Sequence, residues 1–238
     1  MVRGLSLVMW CFWLSLALCG VMACASFVPA VVPAQQPEAK PTPSATTTSA
    51  HSDPSQALKD TLRSGWELYS KHQDGPAQEK LQQALAMARE EKSAWAEGEA
   101  DRILGLVALR ATKYSEAEAE FNQALALFES VPAPASIAHT HGHLGAVKNY
   151  LGKPNEALEL YRKALSEFEE LHDSRDEALV LENFAFIDIL SASERDAAME
   201  RGLKLARDVG DKKLEASFLH HIGDRMFSAG NFAGASKS

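Results

Sequence analysis

Three histidines stand at alternate positions in the middle of the chain, at His139, His141 and His143. Imidazole nitrogens are common ligands of Zn²⁺, so this spacing makes the segment a candidate for metal binding. On a helix, residues four apart share one side, which places His139 beside His143 and turns His141 away. A structural or catalytic zinc ion needs three or four ligands, and no carboxylate at a matching spacing completes the set. We therefore predict no metal ion and no other cofactor.

Sequence signatures of catalysis are absent. The chain has no glycine-rich phosphate loop, no His-Glu-x-x-His pair and no Gly-x-Ser-x-Gly turn. Its three cysteines, Cys11, Cys19 and Cys24, all lie near the N-terminus, so the folded part has neither a thiol nucleophile nor a disulfide. We predict that the protein is not an enzyme and has no catalytic residue.

The first 25 residues have the layout of a secretory signal peptide: Arg3, an apolar run from Leu5 to Leu18, and small residues from Ala23 onwards. The segment from Val21 to Cys24 also resembles a bacterial lipobox, in which the signal is cut before a cysteine that receives the lipid. Three outcomes fit this leader: lipidation of Cys24, simple cleavage, or retention as a signal anchor. Each predicts an exported protein, either secreted or membrane-anchored and facing the periplasm or cell exterior.

Residues 26–53 follow the leader and are rich in proline, threonine and serine. This composition cannot bury a core and favours extended, solvated conformations. We predict a disordered linker here and a helical domain over residues 54–238.

An internal repeat organises that helical domain. Its clearest copy, residues 144–165, has small residues at Gly145, Ala157 and Ala164 and an aromatic residue at Tyr161. A step back of 40 residues gives Gly105, Ala117, Ala124 and Phe121, and a further step gives Gly65, Ala77, Ala84 and Leu81. A step forward gives Ala185 and Ala197, but the pattern is lost at Arg201 and Lys204.

The two central copies resemble the tetratricopeptide repeat, which has Leu-Gly in a first helix A and Ala, an aromatic residue and Ala along a second helix B. Leu104-Gly105 and Leu144-Gly145 supply the helix A pairs. The period of 40 exceeds the family's usual 34 and resembles the long-repeat subgroup found in signalling and scaffold proteins. The resemblance implies an all-α superhelix of antiparallel helix pairs.

Turn residues and caps divide the domain into about four and a half repeats. We expect helix A of the first unit to begin at the Asp53-Pro54 cap. The fifth unit lacks its helix B, which favours either a truncated sequence or an edge covered by a partner or by self-association. The predicted helices are 54–72, 76–91, 93–111, 115–130, 135–151, 154–171, 174–190, 194–209 and 214–228.

In this family the concave wall of the superhelix is lined mainly by helix A. The resemblance therefore implies a groove of aromatic, basic and amide side chains, a composition suited to an extended peptide or a partner helix. The groove residues that we predict to contact a partner are Trp66, Tyr69, Arg102, Leu106, Arg110, His139, Asn149, Tyr150, Glu182 and Phe186.

The charge balance bears on the kind of partner. The net charge is −8, and Arg3 is the only charged residue before Glu38, which leaves 23 basic and 32 acidic residues from there onwards. Nucleic acid is disfavoured, because phosphate binding requires a basic face. We predict a membrane-tethered scaffold that binds a protein or peptide. The alternative is the sensing portion of a longer protein with a C-terminal effector enzyme, such as a caspase-like protease.

Overall fold

The computed structural model describes residues 53–228, and within that range the chain forms nine α-helices and no β-strand. Residues 1–52, which hold the predicted signal peptide and nearly all of the linker, lie outside the described residues, as do residues 229–238. The helices are α1 Gln56–Ser70, α2 Asp74–Glu91, α3 Ala94–Arg110, α4 Tyr114–Glu129, α5 Pro134–Tyr150, α6 Pro154–Glu170, α7 Ser174–Phe184, α8 Ala192–Asp208 and α9 Lys212–Ser228.

The turns between the two helices of units one to three share one backbone design. Each has a left-handed residue, His72, Thr112 or Gly152, with φ between 59° and 72°. The next residue donates its N–H back to a helix A carbonyl, as Lys113 does to Ala108 at 2.9 Å and Lys153 to Lys148 at 2.9 Å. This is the Schellman pattern, which satisfies carbonyls at the end of a helix. The 40-residue period is therefore a period in backbone geometry as well as in side chains.

Within each of these units the two helices cross where a glycine of helix A faces a large side chain of helix B. A Cβ atom added to Gly65 would lie 2.7 Å from Leu81, one added to Gly105 would lie 2.7 Å from Phe121, and one added to Gly145 would lie 3.0 Å from Tyr161. A Cβ atom would overlap the facing side chain at Gly65 and Gly105 and would be crowded at Gly145, so the glycines let the helices approach closely. The packing role predicted for the repeated small and large residues is confirmed.

Helices α1, α3, α5, α7 and α9 form the inner wall of the stack. Each of these helices A contacts the next one, whereas no two of the helices B, α2, α4, α6 and α8, contact each other. Because each helix A contacts its counterpart in the next unit and the helices B do not contact theirs, the helices A lie on the inside of the curve. The predicted all-α superhelix of antiparallel helix pairs is confirmed for the described residues.

The prediction for the start of the array was wrong by two residues. Ser55, not Asp53, caps α1, and its Oγ accepts a hydrogen bond from the Leu58 N–H at 3.2 Å. The carboxylate of Glu91, at the end of α2, accepts hydrogen bonds from the N–H and Oγ of Ser55 at 2.8 and 2.5 Å. This double contact fixes the first helical turn after Pro54.

Unit four departs from the predicted helix bounds. Helix α7 ends at Phe184 instead of residue 190, and α8 begins at Ala192 instead of residue 194. A capping box between Ser191 and Glu194 starts α8 two residues before the 40-residue register. The chain closes the gap with short turns that bury Ile187 and Leu190.

The early start of α8 also changes which of its residues pack inward. Counted from the helix start, Met199 takes the place of Tyr161 and Gly202 takes the place of Ala164, and both are buried. Arg201 and Lys204, which the 40-residue step assigned to those places, are exposed. The pattern fades at Arg201 and Lys204 because it is displaced by two residues: unit four lacks the aromatic residue but keeps a buried row along its helix B.

Candidate functional site

A cleft of about 500 Å³ runs across the inner wall from α1 to α7. We call it the inner-wall cleft. Its lining mixes apolar side chains, such as Leu106, Leu109 and Leu179, with aromatic and polar ones. Its full lining is Tyr69, Leu106, Leu109, Arg110, Thr112, Tyr114, His139, Gly142, His143, Ala146, Tyr150, Tyr161, Asp176, Leu179, Val180 and Asn183.

All four tyrosines of the chain line this cleft. The rings of Tyr114 and Tyr150 stack in parallel, with their centroids 5.1 Å apart. Tyr150 is nevertheless 61% exposed, so its other face is open to a ligand. Tyr161 is buried deeper, where its ring meets Phe184 edge-on, and burial raises its pKa. Stacked, preordered aromatic rings offer contact area at a low cost in side-chain entropy.

Arg110 forms the polar end of the cleft. Its guanidinium lies 3.6 Å from the ring centroid of Tyr69, and its Nη1 donates a hydrogen bond to Nδ1 of His72 at 2.8 Å. Asp74 is 3.5 Å from its Nε, which is too long for a hydrogen bond. Burial is the main cause that raises the pKa of the Tyr69 phenol. The ring and the guanidinium therefore form a fixed cation–π pair on the wall.

The histidine segment of α5 divides between the cleft and the core. His139 and His143 face the cleft, while His141 is buried and its Nδ1 lies 2.7 Å from the Glu167 carboxylate. Nε2 of His139 is 3.0 Å from Asp176, whose pKa is lowered chiefly by that hydrogen bond. The predicted division of the three histidines between faces is confirmed.

The surroundings of His143 disfavour its protonated form. Burial, helped by the positive charge of Arg102 and by His139, lowers the pKa of its imidazole well below the ordinary value. Its Nε2 accepts a hydrogen bond from Nη1 of Arg102 at 3.3 Å, and its ring lies against Phe121. Among residues 53–228 there is no group of three or more potential metal ligands.

The remaining predicted groove residues do not share the inner-wall cleft. Trp66 and Arg102 line a second depression of about 310 Å³, together with Trp95 and Lys59. In it, Arg102 is paired with both carboxylate oxygens of Glu99, at 2.5 and 2.9 Å, so its charge is already satisfied.

Near the C-terminal end of the described residues, Phe186 lines a third depression of about 230 Å³. Glu182 accepts a hydrogen bond from Ser217 and lies 3.6 Å from His221. Asn149 lines none of these three depressions, and its carbonyl oxygen accepts the Gly152 N–H of the turn at 3.0 Å. The predicted set is thus split, and five of its members lie together: Tyr69, Leu106, Arg110, His139 and Tyr150.

Several lining residues escaped the prediction because it considered only helix A. Tyr114 is the first residue of α4, a helix B, and Thr112 is the left-handed turn residue before it. Tyr161 was assigned to packing alone, yet it also forms part of the cleft floor. The sequence carried a signal for Tyr114, an aromatic residue that directly follows the turn from α3 to α4 and lines the cleft.

Comparison with known proteins agrees with this architecture. Residues 93–170 match the family model of the tetratricopeptide repeat, which covers α3 to α6. No curated protein matches the sequence.

Three solved structures illustrate the likeness. The apo form of RapI is 16% identical, with a TM-score of 0.61 over 79% of this chain and 82% of that one. Aspartyl phosphate phosphatase F from Bacillus subtilis is 22% identical, with a TM-score of 0.57 over 76% of this chain and 46% of that one. A Rap protein complexed with competence and sporulation factor is 15% identical, with a TM-score of 0.60 over 76% of this chain and 62% of that one.

The chain therefore spans less than two thirds of two of these three proteins. At such identities the likeness concerns the fold, which is a helical solenoid of tetratricopeptide-like repeats.

Proposed function

We propose that this protein is a non-catalytic scaffold that binds a peptide or an extended segment of a partner protein in its inner-wall cleft. The observation that carries the proposal is the gathering of all four tyrosines along one face, with Arg110 stacked on one of them. Tyrosine and arginine are the residues most often responsible for binding energy at protein interfaces. The likeness to a Rap protein solved with a competence and sporulation factor supports the same reading.

Preorganisation is the physical basis of the proposed binding. The helix pairs are locked by glycine crossings, and the Tyr114–Tyr150 stack and the Arg110–Tyr69 pair are formed without a ligand. Because the wall is already rigid, it loses little conformational entropy on binding, and most of the entropy cost falls on the flexible ligand. The long-repeat subgroup and its scaffold roles fit this mechanism.

A peptide-display experiment tests the proposal. Immobilised wild-type protein is expected to enrich defined sequences from a random dodecapeptide library, and Tyr150→Ala is expected to lose them. Tyr150 is exposed, so its truncation should leave the helical fold intact. Leu171→Ala, which truncates an exposed apolar residue outside the cleft, is the matched control. Equal enrichment by wild type and Tyr150→Ala would contradict the proposal.

We also propose that the scaffold is exported and held at a membrane through lipid on Cys24 or through the leader itself. The support is the leader sequence, with its apolar run and the lipobox-like Val21-Met22-Ala23-Cys24. Within residues 53–228 no helix is long and apolar enough to cross a membrane. Mass spectrometry of the mature N-terminus separates a lipidated Cys24, a cleaved chain and a retained Met1. Only the first and the last agree with tethering.

Self-association through the C-terminal edge stays a prediction, since residues 229–238 beside that edge lie outside the described part of the chain.

A further inference from the structure

The hydroxyl of Tyr161 is a polar group that the protein itself does not use. Tyr161 is 2% exposed, and among residues 53–228 its hydroxyl has no hydrogen-bond partner. Its ring packs against Gly145, where α6 crosses α5, and the residue lines the inner-wall cleft. Within the same range, the hydroxyl is not one of the unpartnered atoms that are fully shielded from water. It therefore opens into the cleft, where a ligand can supply the hydrogen bond that a buried hydroxyl requires.

Gly142 and Ala146 leave space in the cleft beside Tyr161. They are four residues apart on α5, so they lie on one side of the helix, and both line the cleft. The corresponding positions of the other units, 40 residues away, carry large side chains. These are Leu62 and Trp66 in unit one, Arg102 and Leu106 in unit two, and Glu182 and Phe186 in unit four. Of units one to four, only unit three lacks large side chains at this part of the inner wall, which opens the cleft there.

The packing of the fold does not require a glycine at Gly142. A Cβ atom added there would lie 3.4 Å from Val180 and 4.0 Å from Ala164, which are ordinary contact distances. The crossing glycines differ, since a Cβ atom on Gly105 would lie only 2.7 Å from Phe121. Glycine inside a helix is also less favourable than alanine. The absence of a side chain at Gly142 therefore leaves room for a ligand group close to α5.

The surroundings of this space favour a neutral aromatic side chain with a polar end. The exposed face of Tyr150 suits an aromatic ring. Tyr150 adds to the burial that raises the pKa of Tyr161, so the two phenols lie near each other. His139 and Asp176 are hydrogen-bonded to each other, so neither is free to bind a charged side chain.

The polar end must match the hydroxyl of Tyr161. A hydroxyl both donates and accepts hydrogen bonds, so the hydroxyl of a ligand tyrosine pairs with that of Tyr161 in either direction. A ligand phenylalanine would fill the same space but leave the Tyr161 hydroxyl without a partner. The space and the hydroxyl together therefore select tyrosine over phenylalanine.

We propose that the inner-wall cleft binds a tyrosine side chain of the partner peptide, with its ring over Gly142 and Ala146 and its hydroxyl hydrogen-bonded to that of Tyr161. This inference rests on the proposed function of the cleft and adds the residue that the partner inserts.

The test combines one change in the protein with one change in the peptide. Two labelled octapeptide mixtures with blocked termini, one with Tyr and the other with Phe fixed at the centre, are compared by fluorescence polarisation with the full chain. We expect wild type to bind the Tyr mixture about tenfold more tightly, as for one hydrogen bond that satisfies a buried group. Tyr161→Phe should bind both mixtures equally, because it keeps the ring and loses only the hydroxyl. Tyr114→Phe, which removes a hydroxyl from another residue of the same cleft, should keep the preference.

A second variant tests the space at α5 separately. Gly142→Ala adds one methyl group to the cleft, and it should weaken binding of the Tyr mixture about tenfold, as an extra methylene does in a pocket that its ligand fills. Its free energy of unfolding should equal or exceed that of wild type, since the added group makes only ordinary contacts and alanine favours helix. Weaker binding with undiminished stability in urea cannot come from a damaged fold.

Four outcomes would overturn the inference. Equal binding of the two mixtures by wild type, with both lost in Tyr150→Ala, leaves the cleft as a binding site but removes the selection of tyrosine. A preference that survives in Tyr161→Phe and disappears in Tyr114→Phe assigns the hydroxyl contact to Tyr114 instead. Unchanged binding by Gly142→Ala places the inserted side chain elsewhere in the cleft. If neither mixture binds, the inference fails, and the proposed function fails with it only if the display experiment also enriches nothing.

Discussion

Burial in this fold shifts the pKa values of individual acidic side chains. Asp101 on α3 is 2% exposed, and burial, with Glu120 and Glu97 nearby, raises the pKa of its carboxyl to about 7. Burial likewise raises the pKa of Glu120 on the adjacent α4. Arg89 opposes the shift at Asp101 but does not cancel it. The crossing of α3 and α4 therefore holds an acidic pair that is costly to ionise.

Replacing Asp101 by Asn should change how stability depends on pH. The folded chain keeps the Asp101 proton up to about pH 7, whereas the unfolded chain releases it near 3.8, so the free energy of unfolding falls as the pH rises between these values. At pH 8, Asp101→Asn should be more stable than wild type by about 1 to 4 kcal/mol, because one pKa unit corresponds to about 1.4 kcal/mol. Near pH 4 the two should be close. Urea unfolding at both pH values measures the stability difference between the variant and wild type. The same difference at pH 8 and at pH 4 would contradict the prediction.

Helix pairs are the elements that this sequence specifies most directly. In units one to three, the left-handed turn residue and the glycine facing a large side chain both recur every 40 residues, so the pairing is legible in the sequence. Unit four could not be predicted in this way, because the capping box at Ser191 competes with the 40-residue register and starts α8 early. The pairing of side chains across units, such as Tyr114 with Tyr150, depends on how neighbouring helices rotate, which a single sequence does not encode locally.

A substitution of Gly105 by Ala tests the crossing of α3 and α4. Its Cβ would lie 2.7 Å from the fully buried ring of Phe121, so one of the helices must move. We expect a loss of about 1 to 3 kcal/mol in the free energy of unfolding, as for other overpacked cores. Gly75→Ala is the control, since nothing lies within 4 Å of its added Cβ. Urea unfolding should rank it at or above wild type, because alanine favours helix by about 1 kcal/mol. If both substitutions changed the free energy of unfolding by the same amount, the close contact between Gly105 and Phe121 would be refuted.

The displaced register of α8 is tested by comparing two truncations. Met199 is 1% exposed and occupies the inward position, so Met199→Ala should cost about 2 to 5 kcal/mol. Lys204, at the position that the 40-residue step selects, has a side chain that is 75% exposed, and Lys204→Ala should change stability by less than about 0.5 kcal/mol. Thermal unfolding of both variants measures these losses. A larger loss in Lys204→Ala than in Met199→Ala would contradict the displaced register and support the 40-residue one.

At the scale of the whole molecule, the described part of the chain is a curved wall of helices with four tyrosines and Arg110 on the inside. The fold class followed from the repeats, and five of the ten predicted groove residues meet in one cleft. The other five lie elsewhere, because their positions within the repeat predict only that they are on the inner helices. The repeat does not predict where along those helices the cleft forms.

The inner-wall cleft as the binding site is the central claim, and ¹⁹F NMR of protein labelled with 3-fluorotyrosine tests it most directly. Since all four tyrosines line the cleft, a peptide selected by display should shift the resonances of Tyr69, Tyr114 and Tyr150 on binding. A 5-fluorotryptophan label at Trp95, which lies outside that cleft, should not respond. Binding that shifts the Trp95 resonance and leaves every tyrosine resonance unchanged would contradict the claim.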